Sequence, residues 1–221
     1  MAFVCAVGSC IPARQFRIDV TGRPVPVPKA ERCYNLFDMR LFYCVELAEP
    51  VRAALGEVAG ALKARIGPGA KWVEVENLHI TVRFLGEVGD SLLEKLQELG
   101  AQAAGASPRF SLRLARLGAF PAPHRARVIW AGPEEAPEGF TGLVKRVEAR
   151  VQALGFPPER KEAKAHVTLA RLKPPRDVAA ALAGTPLPEL AVEVGALTLM
   201  RSQLTPQGPI YTPLGRWELG G

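Results

Sequence analysis

Two segments of this chain repeat one pattern of histidine, aliphatic residue, threonine, aliphatic residue: His79-Ile80-Thr81-Val82 and His166-Val167-Thr168-Leu169. Side chains alternate along a strand, so the His and Thr of each segment share one face while their aliphatic neighbours take the other. Each segment is therefore half of a site, a proton-transfer group beside a hydroxyl on a strand with an apolar back. The chain has three histidines and eight threonines. At that composition two His-x-Thr pairs arise by chance in roughly one of a few hundred chains.

The periodicity around the two segments predicts an alternation of strands and helices. Met39 to Val45 reads as a buried strand, and Glu49 to Arg65, with Pro50 in its first turn, as an amphipathic helix. Strands are expected at Lys71 to Val75, Leu78 to Leu85, Phe110 to Leu117, Arg127 to Ala131, Ala165 to Leu172, Leu190 to Ser202 and Ile210 to Trp217. Helices are expected at Ser91 to Ala104, Phe140 to Leu154 and, briefly, between Arg176 and Leu182. The proline-rich stretches Phe120 to His124 and Pro133 to Pro137 read as loops. In both halves a helix precedes the histidine-bearing strand and another follows it. That order predicts an α+β fold of two pseudo-symmetric lobes, with the two His-x-Thr strands facing each other across a cleft.

With 48% hydrophobic residues in 221, the chain can build a sizeable core. Its net charge of +6 suits an anionic partner such as nucleic acid or nucleotide, and equally a solvated arginine-rich surface. No run of 18 apolar residues is present to span a bilayer. Cys5, Cys10, Cys33 and Cys44 fit no paired metal spacing and read as free thiols. Met1 to Pro12 lacks the basic start of a signal peptide, so a cytoplasmic protein is expected. Residues 1–38 have no clear periodicity and contain Arg23-Pro24-Val25-Pro26-Val27-Pro28, which favours extended backbone. They read as an N-terminal extension, either a flexible arm or a gene-model artefact, with the folded domain spanning 39–221.

Cleaving a phosphodiester without a metal takes a base for the nucleophile, an acid for the leaving oxygen and donors for the phosphoryl oxygens. Two histidines and two threonines supply that set, because imidazole works on either side of its titration near neutrality. A zinc site is disfavoured, since neither segment has a second His, Cys, Asp or Glu at ligand spacing and His124 sits in a loop. Neither a phosphate-binding GxxxxGK[ST] loop, a strand-linked GxGxxG nor a GxSxG elbow occurs. Arg83, four residues after His79, falls on the cleft face by simple alternation and is a candidate for backbone contact or, equally, a solvated basic residue.

Asn77-Leu78-His79-Ile80-Thr81-Val82-Arg83-Phe84-Leu85-Gly86-Glu87 and His166-Val167-Thr168-Leu169-Ala170-Arg171 resemble the two signatures of the RNA 2',3'-cyclic phosphodiesterases, first described as 2'-5' RNA ligases, of the 2H phosphoesterase superfamily. Arg40-Leu41-Phe42, Val128-Ile129-Trp130-Ala131-Gly132 and Tyr211-Thr212-Pro213-Leu214-Gly215-Arg216-Trp217 are similar to further stretches of that family. The resemblance runs from Met39 to Trp217 and leaves residues 1–38 without a counterpart.

The resemblance implies a bilobed 2H phosphoesterase fold and hydrolysis of RNA 2',3'-cyclic phosphate ends to 2'-phosphate ends, with no metal or other cofactor. A 5'-hydroxyl in place of water would give 2'-5' ligation by the same chemistry. His166 would be the general base and His79 the general acid, with Thr81 and Thr168 donating to the phosphate. Arg171 would contact the phosphate and Phe120 would stack on the terminal base. Arg171 lies an odd number of residues after His166, so it reaches the cleft only if the strand bulges or ends after Ala170, and Lys173-Pro174-Pro175 suggests a nearby end. The expected partner is RNA, with no membrane association, and the expected state is monomeric. Two alternatives stay open: a phosphodiesterase for a small cyclic nucleotide, and a non-catalytic module that binds nucleotides or RNA ends.

Overall fold

The computed structural model describes residues 16–18, 24–26 and 38–220, except 136, 161 and 207. The elements run β1 (Phe16–Ile18), β2 (Pro24–Pro26), β3 (Asp38–Glu46), α1 (Glu49–Ile66), β4 (Ala70–Trp72), β5 (His79–Gly89) and α2 (Leu93–Gly105). They continue with β6 (Phe110–Leu114), β7 (Arg116–Phe120), β8 (Ala126–Gly132), α3 (Glu138–Ala153), β9 (Val167–Arg176), α4 (Ala179–Ala183), β10 (Leu190–Val194), β11 (Ala196–Leu204) and β12 (Pro209–Glu218). Strands β1 and β2 form an antiparallel pair of their own, with Pro24 to Pro26 extended as its prolines require. Cys5, Cys10 and Cys33 lie outside the described residues, as does most of the 1–38 segment.

The helices form because their apolar residues recur every three or four positions. Helix α1 opens with a proline in its first turn, where the missing N–H costs nothing, and buries Val51, Leu55, Val58, Leu62 and Ile66. Helix α3 buries Phe140, Leu143, Val147 and Val151. Both pack on one side of the large sheet. Alternation along β3 sends Leu41, Tyr43 and Val45 to that side, where the Tyr43 hydroxyl donates to the Leu96 carbonyl at 2.5 Å. Phe42 and Cys44 point to the other face, where they form a small separate cluster with Met200 and Tyr211. That second face holds the cleft.

The sheet runs β12-β11-β3-β5-β9-β8-β7, with β4 pairing the later part of β9 on the edge that β5 takes at Val167, while β6 and β10 pair separately. The two halves are built alike. β3, α1, β5, α2, β6 and β7 correspond in order to β8, α3, β9, α4, β10 and β11, and the last strand of each half pairs with the first strand of the other, giving β11-β3-β5 and β7-β8-β9. The helices cross over as well: α1 packs against β9 and β10, and α3 against β5 and β6. The predicted lobes are present, but the His-x-Thr strands are not separated by a gap. β5 and β9 are antiparallel neighbours in one sheet, joined through Ile80 and Val167.

Two long predicted strands are each broken once. Phe110 to Leu117 divides into β6 and β7 around Ala115, and Leu190 to Ser202 into β10 and β11 around Gly195. At both places the chain leaves the small β6–β10 pair and enters the large sheet. Phe120 ends β7 and is not in a loop. Nor do the prolines stop β9, which continues to Arg176, because the β8–β9 ladder is already irregular between Ala126 and Val128 and few pairing bonds are lost.

Candidate active site

A bulge on each histidine strand decides what faces the cleft. On β5, Arg83 pairs with Tyr43 and Thr81 with Cys44, so Val82 is an extra residue without a partner. On β9, Ala170 pairs with Ile129 and Thr168 with Trp130, so Leu169 is the extra residue. Each bulge follows the threonine directly and reverses the alternation beyond it. Val82 and Arg83 are both buried on the helix side, as are Leu169 and Ala170. Arg171 thereby returns to the cleft face with Thr168, through a bulge that comes before Ala170 and not after it.

The same reversal corrects the expectation for Arg83. Its side chain turns away from the cleft into the helix layer, where the guanidinium meets Glu148 at 2.7 Å and Glu159 at 3.1 Å and donates to the Pro157 and Phe84 carbonyls. The Glu148 contact lacks hydrogen-bond alignment and is an ion pair only. Arg83 holds the chain after α3 against β5. Phe84 takes the cleft position in its place.

The two histidines are anchored identically. His79 Nδ1–H donates to the carbonyl of Asn77 at 2.7 Å, and His166 Nδ1–H to the carbonyl of Lys164 at 2.7 Å. A carbonyl can only accept, so each ring keeps its proton on Nδ1 and leaves Nε2 for chemistry. For His79 that nitrogen lies 3.2 Å from Thr81 Oγ1. Aromatic rings flank each imidazole. His79 has Phe42 at 4.9 Å and Tyr211 edge-on at 5.3 Å; His166 has Phe120 edge-on at 5.1 Å and Trp130 at 6.4 Å. Phe120 and Trp130 are stacked at 5.2 Å.

Burial among these rings lowers both histidine pKa values, because the imidazolium loses hydration. The carbonyl acceptors oppose that trend, and the positive charge of Arg171 adds to it at both rings. For His79, His166 acts in the same sense, which is the electrostatic mark of two imidazoles near each other. Burial also raises the Tyr211 hydroxyl. Cys44 is buried beside Glu46 and its thiol is pushed far up, so it is not a nucleophile.

His79, Thr81, Thr168 and Arg171 line one cavity of about 470 Å3, together with Phe84 and Tyr211. His166, Phe120 and Trp130 line a separate hollow of about 200 Å3. Of the residues singled out from the sequence, only Arg83 lies outside this arrangement. Phe42, Trp130 and Tyr211 were missed as site residues, although each sits in one of the shorter stretches that carried the family resemblance. Among the described residues, no three His, Cys, Asp or Glu side chains gather as a metal site requires. Also among them, no helix is long and apolar enough to cross a membrane.

Comparison with known proteins bears on the same residues. The family model described as LigT like phosphoesterase matches twice, over 45–130 and 131–211, one match for each histidine strand. The chain is 36% identical over 189 residues to a protein of Methanothermobacter thermautotrophicus named RNA 2',3'-cyclic phosphodiesterase, covering 82% of this chain and 99% of that one. It is 40% identical over 190 residues to a Thermus thermophilus protein of the same name, covering 83% and 91%. The solved structure of TT0787 from Thermus thermophilus is similar with a TM-score of 0.69 and 37% identity, over 83% of this chain and 99% of that one. E. coli LigT complexed with 3'-AMP is similar with a TM-score of 0.66 and 26% identity, over the same shares.

Proposed function

The chain belongs to the LigT-like phosphoesterase family, and from that premise we propose that it hydrolyses RNA 2',3'-cyclic phosphate ends to 2'-phosphate ends by paired histidine acid-base catalysis. The observation that carries the mechanism is the matched anchoring of the two imidazoles, each with Nδ1–H bound to a carbonyl so that Nε2 is the nitrogen for proton exchange, that of His79 beside the Thr81 hydroxyl. Acid-base work needs one such nitrogen empty and the other protonated.

His166 Nε2 takes a proton from water as its oxygen attacks phosphorus. The bond from phosphorus to the 3'-oxygen breaks, and His79 Nε2–H delivers a proton to that oxygen. The products are a 2'-phosphomonoester and a 3'-hydroxyl, and proton exchange with solvent resets both rings. Thr81 and Thr168 donate to the nonbridging oxygens, where the negative charge of the transition state is spread. Arg171, exposed and charged on the same face, complements that charge with a planar pair of donors. Phe120 presents an aromatic surface beside His166 for a base. If a 5'-hydroxyl takes the place of water, the same steps yield a 2'-5' linkage.

Product analysis of an oligonucleotide ending in a 2',3'-cyclic phosphate, incubated with chelator, tests reaction, regiochemistry and metal independence together. A 2'-phosphate and a free 3'-hydroxyl are expected. A 3'-phosphate product, or activity abolished by the chelator, would overturn the mechanism.

A further inference from the structure

We propose that Arg40 forms a second phosphate subsite, which takes a phosphate adjoining the cyclic phosphate and thereby selects an oligonucleotide over a nucleoside cyclic phosphate. The inference rests on the function proposed above, in which His79 protonates the departing 3'-oxygen. In an in-line displacement the nucleophile and the leaving oxygen lie on opposite sides of phosphorus. The 3'-oxygen stays on the ribose, so the ribose carrying it lies toward His79 and the attacking water enters toward His166. The larger cavity, about 470 Å3, opens on that same His79 side.

Among the described residues, Arg40 and Arg171 are the two arginines that line this cavity. Arg83, Arg109, Arg113 and Arg216 are paired with glutamates, and Arg176 donates to two carbonyls. Arg40 has no hydrogen bond or ion pair among the described residues, and its Nε is buried without a partner. Its guanidinium instead lies over the Phe84 ring, 5.4 Å from the centroid. A buried N–H without an acceptor is costly. A cation held over an aromatic face, with its Nε–H unpaired, is preorganised for an oxyanion.

Arg40 and Arg171 serve different places. Arg171 acts on both histidines and on Tyr211, whereas Arg40 acts on Tyr211 and neither histidine. Both cations and Tyr211 line the same cavity, and only Arg171 is felt at the histidines. A ligand with a single phosphate satisfies Arg171 alone. An RNA strand, with its next phosphate one nucleotide away, offers an anion to both.

The test compares three substrates: a nucleoside 2',3'-cyclic phosphate, the same compound carrying a 5'-phosphate, and a trinucleotide ending in the cyclic phosphate. The wild type should favour the last two over the first by about tenfold in kcat/KM, the scale of one charge-assisted contact. Arg40→Gln should bring that ratio close to one, and Arg40→Lys should restore part of it. For the trinucleotide, the slope of log KM against log salt should fall by about 0.7 in Arg40→Gln, as expected when one phosphate contact is lost from a single strand. An equal loss on all three substrates, or a preference that survives Arg40→Gln, would overturn the subsite while leaving the phosphodiesterase reading intact. A wild type inactive on all three sinks both.

Discussion

Phe84 and Arg171 stand at the same place in the two halves of the molecule. Each lies five residues after its histidine, and each is returned to the cleft by one unpaired aliphatic residue, Val82 or Leu169. One half thus puts an aromatic ring at this position and the other a guanidinium. The backbone is nearly two-fold, but the charge at the histidine pair is one-sided.

Arg171→Ala should lower kcat/KM about 10- to 100-fold, the scale of a charged hydrogen bond, with little change in the unfolding midpoint. Arg83→Ala should do the reverse. Removing it strands Glu148 and costs up to about 3 kcal/mol, less than a fully buried pair because both glutamates keep some contact with water. Denaturant unfolding and steady-state rates on the two variants separate the roles, and a catalytic defect in folded Arg83→Ala would contradict the placement of its side chain.

His79→Ala and His166→Ala should each reduce turnover about 100- to 10,000-fold while leaving the circular dichroism spectrum unchanged. The double variant should be little worse than either single one, because the two rings act as one unit. Near-normal rates in either single variant would end the acid-base assignment.

The pH profile of kcat/KM should be bell-shaped, with its maximum below the ordinary histidine value of 6.5, since burial lowers both rings in the free protein. The kcat profile should reach to higher pH, because a bound phosphodiester anion favours the imidazolium. Stability follows the same groups. With the folded pKa below the unfolded one, the unfolded chain binds more protons in the window between them, so stability rises with pH there and falls as pH drops below about 6.5. Melting temperatures measured across that window should slope less steeply in His79→Gln, where the more enclosed ring is gone.

Gly118→Ala should damage the His166 side without touching a catalytic group. A Cβ at Gly118 would lie 2.3 Å from the Trp130 ring, which stacks on Phe120 and borders His166. Overpacking of this kind costs about 1–3 kcal/mol. Both the melting temperature and kcat should fall, and a fully active, fully stable variant would show that the Trp130 position is not needed.

Much of the site was legible in the sequence because it is local. His and Thr two apart on a strand share a face whatever surrounds them, and the helices before and after each strand announce themselves by apolar spacing. The repeat of that order implied two similar lobes. Arg83 was misread for a reason that local alternation cannot supply. Whether a residue after the threonine faces cleft or core depends on the partner strand, and the unpaired Val82 is defined only by the residues of β3 opposite it. The same holds for Arg171, which alternation placed on the wrong face and the Leu169 bulge returned.

What the sequence determined by itself is therefore the pair of half-sites and the elements that carry them, since these follow from the geometry of single strands and helices. Only the tertiary structure decided that β5 and β9 lie side by side, that Phe42 and Tyr211 enclose one imidazole while Phe120 and Trp130 border the other, and that Arg40 ends on Phe84 with its Nε–H unpaired. Those relations join residues far apart in the chain, and sheet register and burial set them, so neither spacing nor composition contains them.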